Sequence, residues 1–120
     1  MGDFSQNINI SRNYFKGRIE LNFCLNTWGD DWIISFYGGR RSIGTVQIWE
    51  HRPELSTISQ HNPPENEEYH VIKSLLEVIH DAPFNKILFY GGIHFENLNS
   101  SETDFILESA ADFGKWILSS

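Results

Sequence analysis

The sequence predicts an α+β domain, a mostly antiparallel sheet in the order β-β-β-α-β-α with two helices packed on one face. Three observations carry that reading. Apolar and polar residues alternate strictly from Arg18 to Asn26, β-forming residues follow in short runs separated by Gly-rich turns, and two later stretches carry apolar residues at helical spacing. With 120 residues, residues 1–120 are expected to form a single domain large enough to bury a core without disulfides or metal.

In the first strand, Ile19, Leu21, Phe23 and Leu25 share one face, and Glu20, Asn22, Cys24 and Asn26 the other. Thr27-Trp28-Gly29-Asp30-Asp31 has turn chemistry, so Trp32 to Tyr37 should return as the second arm of a hairpin. Gly38-Gly39-Arg40-Arg41 turns the chain again, and Ser42 to Glu50 completes a three-stranded meander as the simplest arrangement. Residues 51–66 hold three of the four prolines and read as a loop.

From Glu65 to His80 the residues Tyr69, Ile72, Leu75, Leu76 and Ile79 form a helical stripe, with Glu65, Glu67 and Glu68 placed where the helix dipole favours acids. Lys86 to Tyr90 is a short strand, which Ile93 to Glu96 could extend past a bend or bulge. A capping-box-like Ser101-Glu102-Thr103-Asp104 opens the last helix, whose stripe is Ile106, Ala110, Phe113, Trp116 and Ile117.

The tetrapeptide Phe-Tyr-Gly-Gly occurs twice, at 36–39 and 89–92. Aligning the surroundings of the two copies adds only the match of Ile34 with Ile87, so a duplication is rejected. Neither copy has the glycine spacing of a phosphate loop, and both read as glycine supplying positive φ after a strand.

The five histidines show no metal-ligand spacing, and no metal or cofactor is expected. Cys24 lacks an activating base in the sequence pattern. An alternative small enzyme would need His94, Glu96 and Cys24 to converge on one pocket. A lone cysteine and the absence of a secretory start point to the cytoplasm, and no apolar run approaches the roughly 20 residues of a membrane span.

The net charge of −7 arises entirely in residues 61–120, which hold ten acids against Lys73, Lys86 and Lys115. Direct nucleic-acid binding is disfavoured and a basic protein partner favoured. The aromatic, acidic turn at Trp28, Asp30, Asp31 and Trp32, together with Glu67, Glu68, Asp104, Glu108 and Asp112, forms the expected binding set. In size, acidity and lack of catalytic motifs the chain resembles the small immunity proteins of bacterial toxin–immunity pairs, including those of contact-dependent growth inhibition. The resemblance implies a cytoplasmic protein that neutralises a cognate toxin, often a nuclease with a basic cleft, by occlusion. Two competing roles stay open beside it: a phage-encoded acidic inhibitor, and a structural subunit that buries its exposed aromatics against fixed neighbours.

Overall fold

The computed structural model describes residues 7–50, 58–60 and 67–119. Elements follow in the order β1 (Asn9–Lys16), β2 (Ile19–Trp28), β3 (Asp31–Gly39), β4 (Thr45–Glu50), β5 (Ile58–Gln60), α1 (Glu67–Ile79), β6 (Lys86–His94) and α2 (Ser100–Ser119). The α+β class and the packing of both helices on one face are as predicted. The expected loop over 51–66 and the expected helix start at Glu65 lie outside the described residues, apart from β5, an edge strand within that loop.

The sheet has six strands in the order β1-β2-β3-β6-β4-β5. The expected meander is therefore corrected: β6 enters between β3 and β4, parallel to β3 and antiparallel to β4. The physical reason is burial. Ile87, Leu88 and Phe89 are apolar in succession, as suits a strand with neighbours on both sides, whereas β4 alternates and tolerates a place nearer the edge. The glycines of the second Phe-Tyr-Gly-Gly do not end their strand, because β6 stays in unbroken register with β3 through Gly91, Gly92, Ile93 and His94.

The strand β1 adds to the edge beside β2 and has no counterpart in the prediction. Its core-side positions are Ile10, Arg12, Tyr14 and Lys16, too polar to stand out by alternation. Their packing explains the choice of residues. The guanidinium of Arg12 lies 5.1 Å from the centre of the Trp116 ring, and the Tyr14 hydroxyl donates to Asp112 Oδ2 at 2.7 Å. Burial, with that hydrogen bond second, pushes the Tyr14 phenol above its ordinary range.

The core lies between the sheet and the helices. Phe23 is fully buried and stacks on Phe113 at 5.4 Å and Phe36 at 6.1 Å, while Tyr14 meets its edge at 5.8 Å. The helix α2 covers β1 and β2, and α1 packs beside it over β6. At the hairpin between β2 and β3, where the sequence predicts a turn, Gly29 takes φ +62°, the left-handed conformation that glycine adopts without strain.

The cap of α2 sits two residues earlier than expected. Asn99 Oδ1 accepts from the Glu102 amide at 2.7 Å, and Glu102 Oε1 accepts in return from the Asn99 amide at 3.1 Å, a reciprocal capping box. Arg18, in the turn just before β2, donates to both Glu102 oxygens, at 2.8 and 3.0 Å, which ties the helix start to the sheet. The Arg18 contact first, then the cap, holds the Glu102 carboxyl at about 2, well below its usual 4.5. A depressed carboxylate contributes stability that is complete above the unfolded value and fades as pH falls towards the folded one. Glu102→Gln is accordingly expected to melt below wild type at pH 7, with the gap closing between pH 4.5 and 2. Paired thermal melts across that range check it, and a gap independent of pH would count against the ion pair.

Candidate functional site

One face of the sheet carries the helices, and the other is open. Along β2 the open face presents Glu20, Asn22, Cys24, Asn26 and Trp28; the last four pair across the register with Tyr37, Ser35, Ile33 and Asp31 of β3. Along β6 it presents Leu88, Tyr90 and Gly92, and along β4 Val46 and Ile48. The face is thus polar towards β1 and apolar towards β4. Trp28, Ile48 and Tyr90 are among its exposed large side chains.

The two Phe-Tyr-Gly-Gly segments meet on this face. They lie on adjacent parallel strands, with Phe36 opposite Gly91 and Tyr37 opposite Gly92. Around that junction is a groove of about 430 Å³, bordered by Asn22, Ser35, Tyr37, Arg41, Ile43 and Tyr90, with Gly91 and Gly92 along its floor. That volume falls within the range of small-molecule sites. The guanidinium of Arg41 lies 4.5 Å from the centre of the Tyr37 ring and donates to its hydroxyl at 2.9 Å. One donor of five is used in that bond, so the fork retains capacity for an anion.

The groove wall formed by residues 40–44 is fixed from both sides. The Gly44 amide donates to the Gly91 carbonyl at 2.7 Å, and His94 Nε2 donates to the Ser42 carbonyl at 3.0 Å. From the helix side the buried Glu68 side chain fills the space next to Gly44 and accepts from the Ile93 amide. Burial raises the Glu68 carboxyl above its ordinary range. This explains why the second glycine pair is required. A methyl at Gly92 would collide with the Ser42 carbonyl, and one at Gly91 with the Phe36 carbonyl. Of the two pairs, only Gly39 supplies the positive φ expected of them all.

The expected binding residues do not form one patch. Trp28 and Asp30 are exposed at the β2–β3 turn, but Trp32 is buried in the core against Phe84, 5.6 Å between ring centres. Asp31 sits opposite Lys86 at the first residue of β6, with its Oδ1 buried and unpaired among the described residues. Glu68 lies at the other end of that strand, about 25 Å away by the rise of nine residues. Glu67 is exposed at the start of α1, and Asp104, Glu108 and Asp112 follow one another along α2, the last engaged by Tyr14. Nor do His94, Glu96 and Cys24 converge: Cys24 is opposite Ser35, whereas His94 is opposite Gly39. Among the described residues no cluster of His, Cys, Asp or Glu could hold a metal ion.

Residues 15–120 match the family described as the prenylated flavin chaperone LpdD-like domain. The chain belongs to this family. The match takes in every element from β2 onward and the whole of the groove. A search of curated proteins finds no match. A chain from the crystal structure of a novel chaperone complex for yeast 20S proteasome assembly superposes with a TM-score of 0.54 and 10% identity, covering 94% of this chain and 93% of that one. That likeness shows a shared fold.

Membership of a chaperone family gives the LpdD-like chain a non-enzymatic role and overturns the expected toxin immunity, together with its basic toxin partner and its contact-dependent inhibition setting. The acidity that prompted that reading has local uses: Glu102 caps α2 and binds Arg18, Asp112 receives Tyr14, and Glu68 is buried. Among the described residues no helix is long and apolar enough to cross a membrane.

Proposed function

We propose that this LpdD-like chain binds a prenylated flavin in the Phe-Tyr-Gly-Gly groove and holds it for a flavin-dependent enzyme. The family match over residues 15–120 carries the reading. The groove supports it chemically. A flavin offers a flat aromatic system with an apolar edge and a polar edge, and its mononucleotide form ends in a phosphate. Tyr90 and Ile43 supply exposed apolar surface, Asn22 and Ser35 supply hydrogen-bonding groups, and Arg41 supplies a fixed charge for the anionic end. The free thiol of Cys24 suits a reducing cytoplasm as the compartment.

A chaperone of this kind must release its cargo, and an open groove on a sheet face serves release better than an enclosed cavity. Titration of the purified chain with prenylated flavin mononucleotide, followed by flavin absorbance and fluorescence, is expected to saturate at one per chain. Tyr90→Ala and Arg41→Ala are each expected to weaken binding about tenfold, or about 1.4 kcal/mol, without loss of fold. Saturable binding unaffected by either substitution would move the cargo to another surface, and no binding by the wild-type chain would defeat the reading.

A further inference from the structure

Among the described residues Glu68 is the one charged side chain that the fold buries, 5% exposed in the first turn of α1. A carboxylate taken out of water costs free energy unless its oxygens are bonded, and the helix start does not need it, because the exposed Glu67 beside it already complements the dipole. Its contacts lead to the groove. After Thr45 pairs with Gly91, β4 parts from β6, and the Ile93 amide beyond that pair donates to the Glu68 carboxylate. The carboxylate also accepts from its own amide, and its Oε1 occupies the space that a side chain at Gly44 would need. One buried group thus meets α1, β6 and the wall of the groove. The charged groups around it are His94 from β6, which favours the carboxylate form, and Glu67 from its own helix, which opposes it. On the wall, Arg41 is turned to the Tyr37 ring and Arg40 is exposed.

We propose that Glu68 is a positioning residue of the flavin groove: its carboxylate, fixed by its own amide and that of Ile93, sets the wall at residues 42–44 at the spacing from Gly92 that the cargo requires. This role rests on the groove as the cargo site and extends it to the helix layer. A hydrogen bond to a charged acceptor is about twice as strong as a neutral one, so a carboxylate resists displacement where a carboxamide of the same shape yields. Burial meanwhile holds the Glu68 carboxyl above its usual 4.5, so its charge lowers stability at neutral pH. A charge that lowers stability while it fixes a groove wall is the pattern of a residue retained for binding.

The test compares the wild-type chain with Glu68→Gln, which keeps the shape and removes the charge. A raised carboxyl lowers stability above its folded value and has no effect below its unfolded one, so Glu68→Gln is expected to melt above wild type at pH 7, with the gap closing as pH falls towards 4.5. Hydrogen exchange of the Gly44 amide, which bonds to the Gly91 carbonyl, is nevertheless expected to quicken about tenfold relative to the amides of β2. Affinity for prenylated flavin mononucleotide is expected to fall about tenfold as well. Gly44→Ala, whose methyl displaces the same carboxylate, is expected to bring a similar loss of affinity, and the double variant no more than either alone. Tyr90→Ala, which removes a direct contact, should weaken flavin and leave Gly44 exchange unchanged. Melting of Glu68→Gln below wild type at pH 7, unchanged exchange at Gly44, full flavin affinity in Glu68→Gln, or additive losses in the double variant would each overturn the role assigned to Glu68. If the wild-type chain binds no flavin, the cargo reading fails by itself, and the melts and the exchange still decide whether Glu68 sets the wall.

Discussion

Replacing Phe23 by alanine is expected to remove about 3–5 kcal/mol of stability, the usual cost of deleting a buried aromatic ring. The site explains the size. Phe23 is fully buried at the centre of the core, where it joins β3 through Phe36, α2 through Phe113 and β1 through Tyr14. Its removal leaves a cavity bounded by rings on three elements, and none can move in without breaking its own contacts. A domain with an ordinary stability of about 5–15 kcal/mol would then stand close to unfolding on modest warming. Urea denaturation should show a much lower midpoint with an unchanged slope. As a contrast, Trp28→Ala removes a larger side chain that is 74% exposed, and it should change stability by no more than about 0.5 kcal/mol. Comparable losses at the two positions would mean that the burial assigned to them is wrong.

The second large effect is expected at Gly92, and it falls on the groove. A side chain there meets the Ser42 carbonyl, His94 Nε2 at 2.6 Å and the Gly44 amide at 3.1 Å. Backbone supplies two of these neighbours, so relief requires the wall at residues 40–44 to move outwards. Gly92→Val is expected to lose about 1–3 kcal/mol by overpacking. It should also weaken flavin binding by more than about tenfold, because Arg41 and Ile43 shift with the wall. Faster hydrogen exchange at the Gly44 amide, which bonds to the Gly91 carbonyl, would report the displacement directly. Wild-type melting and affinity in Gly92→Val would show that the wall yields freely and does not shape the site.

Local rules were sufficient for most elements. The alternation from Ile19 to Leu25 identified the face of β2 that is buried, the Gly29 turn placed its hairpin with β3, and helical spacing found the buried stripes of α1 and α2. The strand β1 escaped because an edge strand can cover the core with the stems of Arg12 and Tyr14 as well as with aliphatic residues. The cap of α2 was misplaced by two residues because both Asn99 and Ser101 are good capping residues, and only the position of Glu102 relative to Asn99 distinguishes them.

The candidate site was visible in the sequence as a repeated tetrapeptide, but its meaning was not. Duplication and phosphate binding were the two functional readings available to a linear pattern, and each failed on its own terms. A third possibility, that two unrelated strands with the same ending lie side by side, depends on strand order. Charge misled for a related reason. Ten acids in one half of the chain look like a surface for a basic partner, yet two of them are engaged by neighbours far away in sequence, Glu102 by Arg18 and Asp112 by Tyr14.

By itself, then, the sequence determined the α+β class, the faces that enter the core and the turn at Gly29, because periodicity and backbone conformation are local properties. Tertiary structure alone decided that β6 runs between β3 and β4, and with that pairing it decided the groove. Pairing partners are chosen by the burial available to each strand in competition with the others, a quantity that belongs to the assembled sheet. The two Phe-Tyr-Gly-Gly segments are 53 positions apart in the chain and become one site only when parallel pairing sets Tyr37 opposite Gly92.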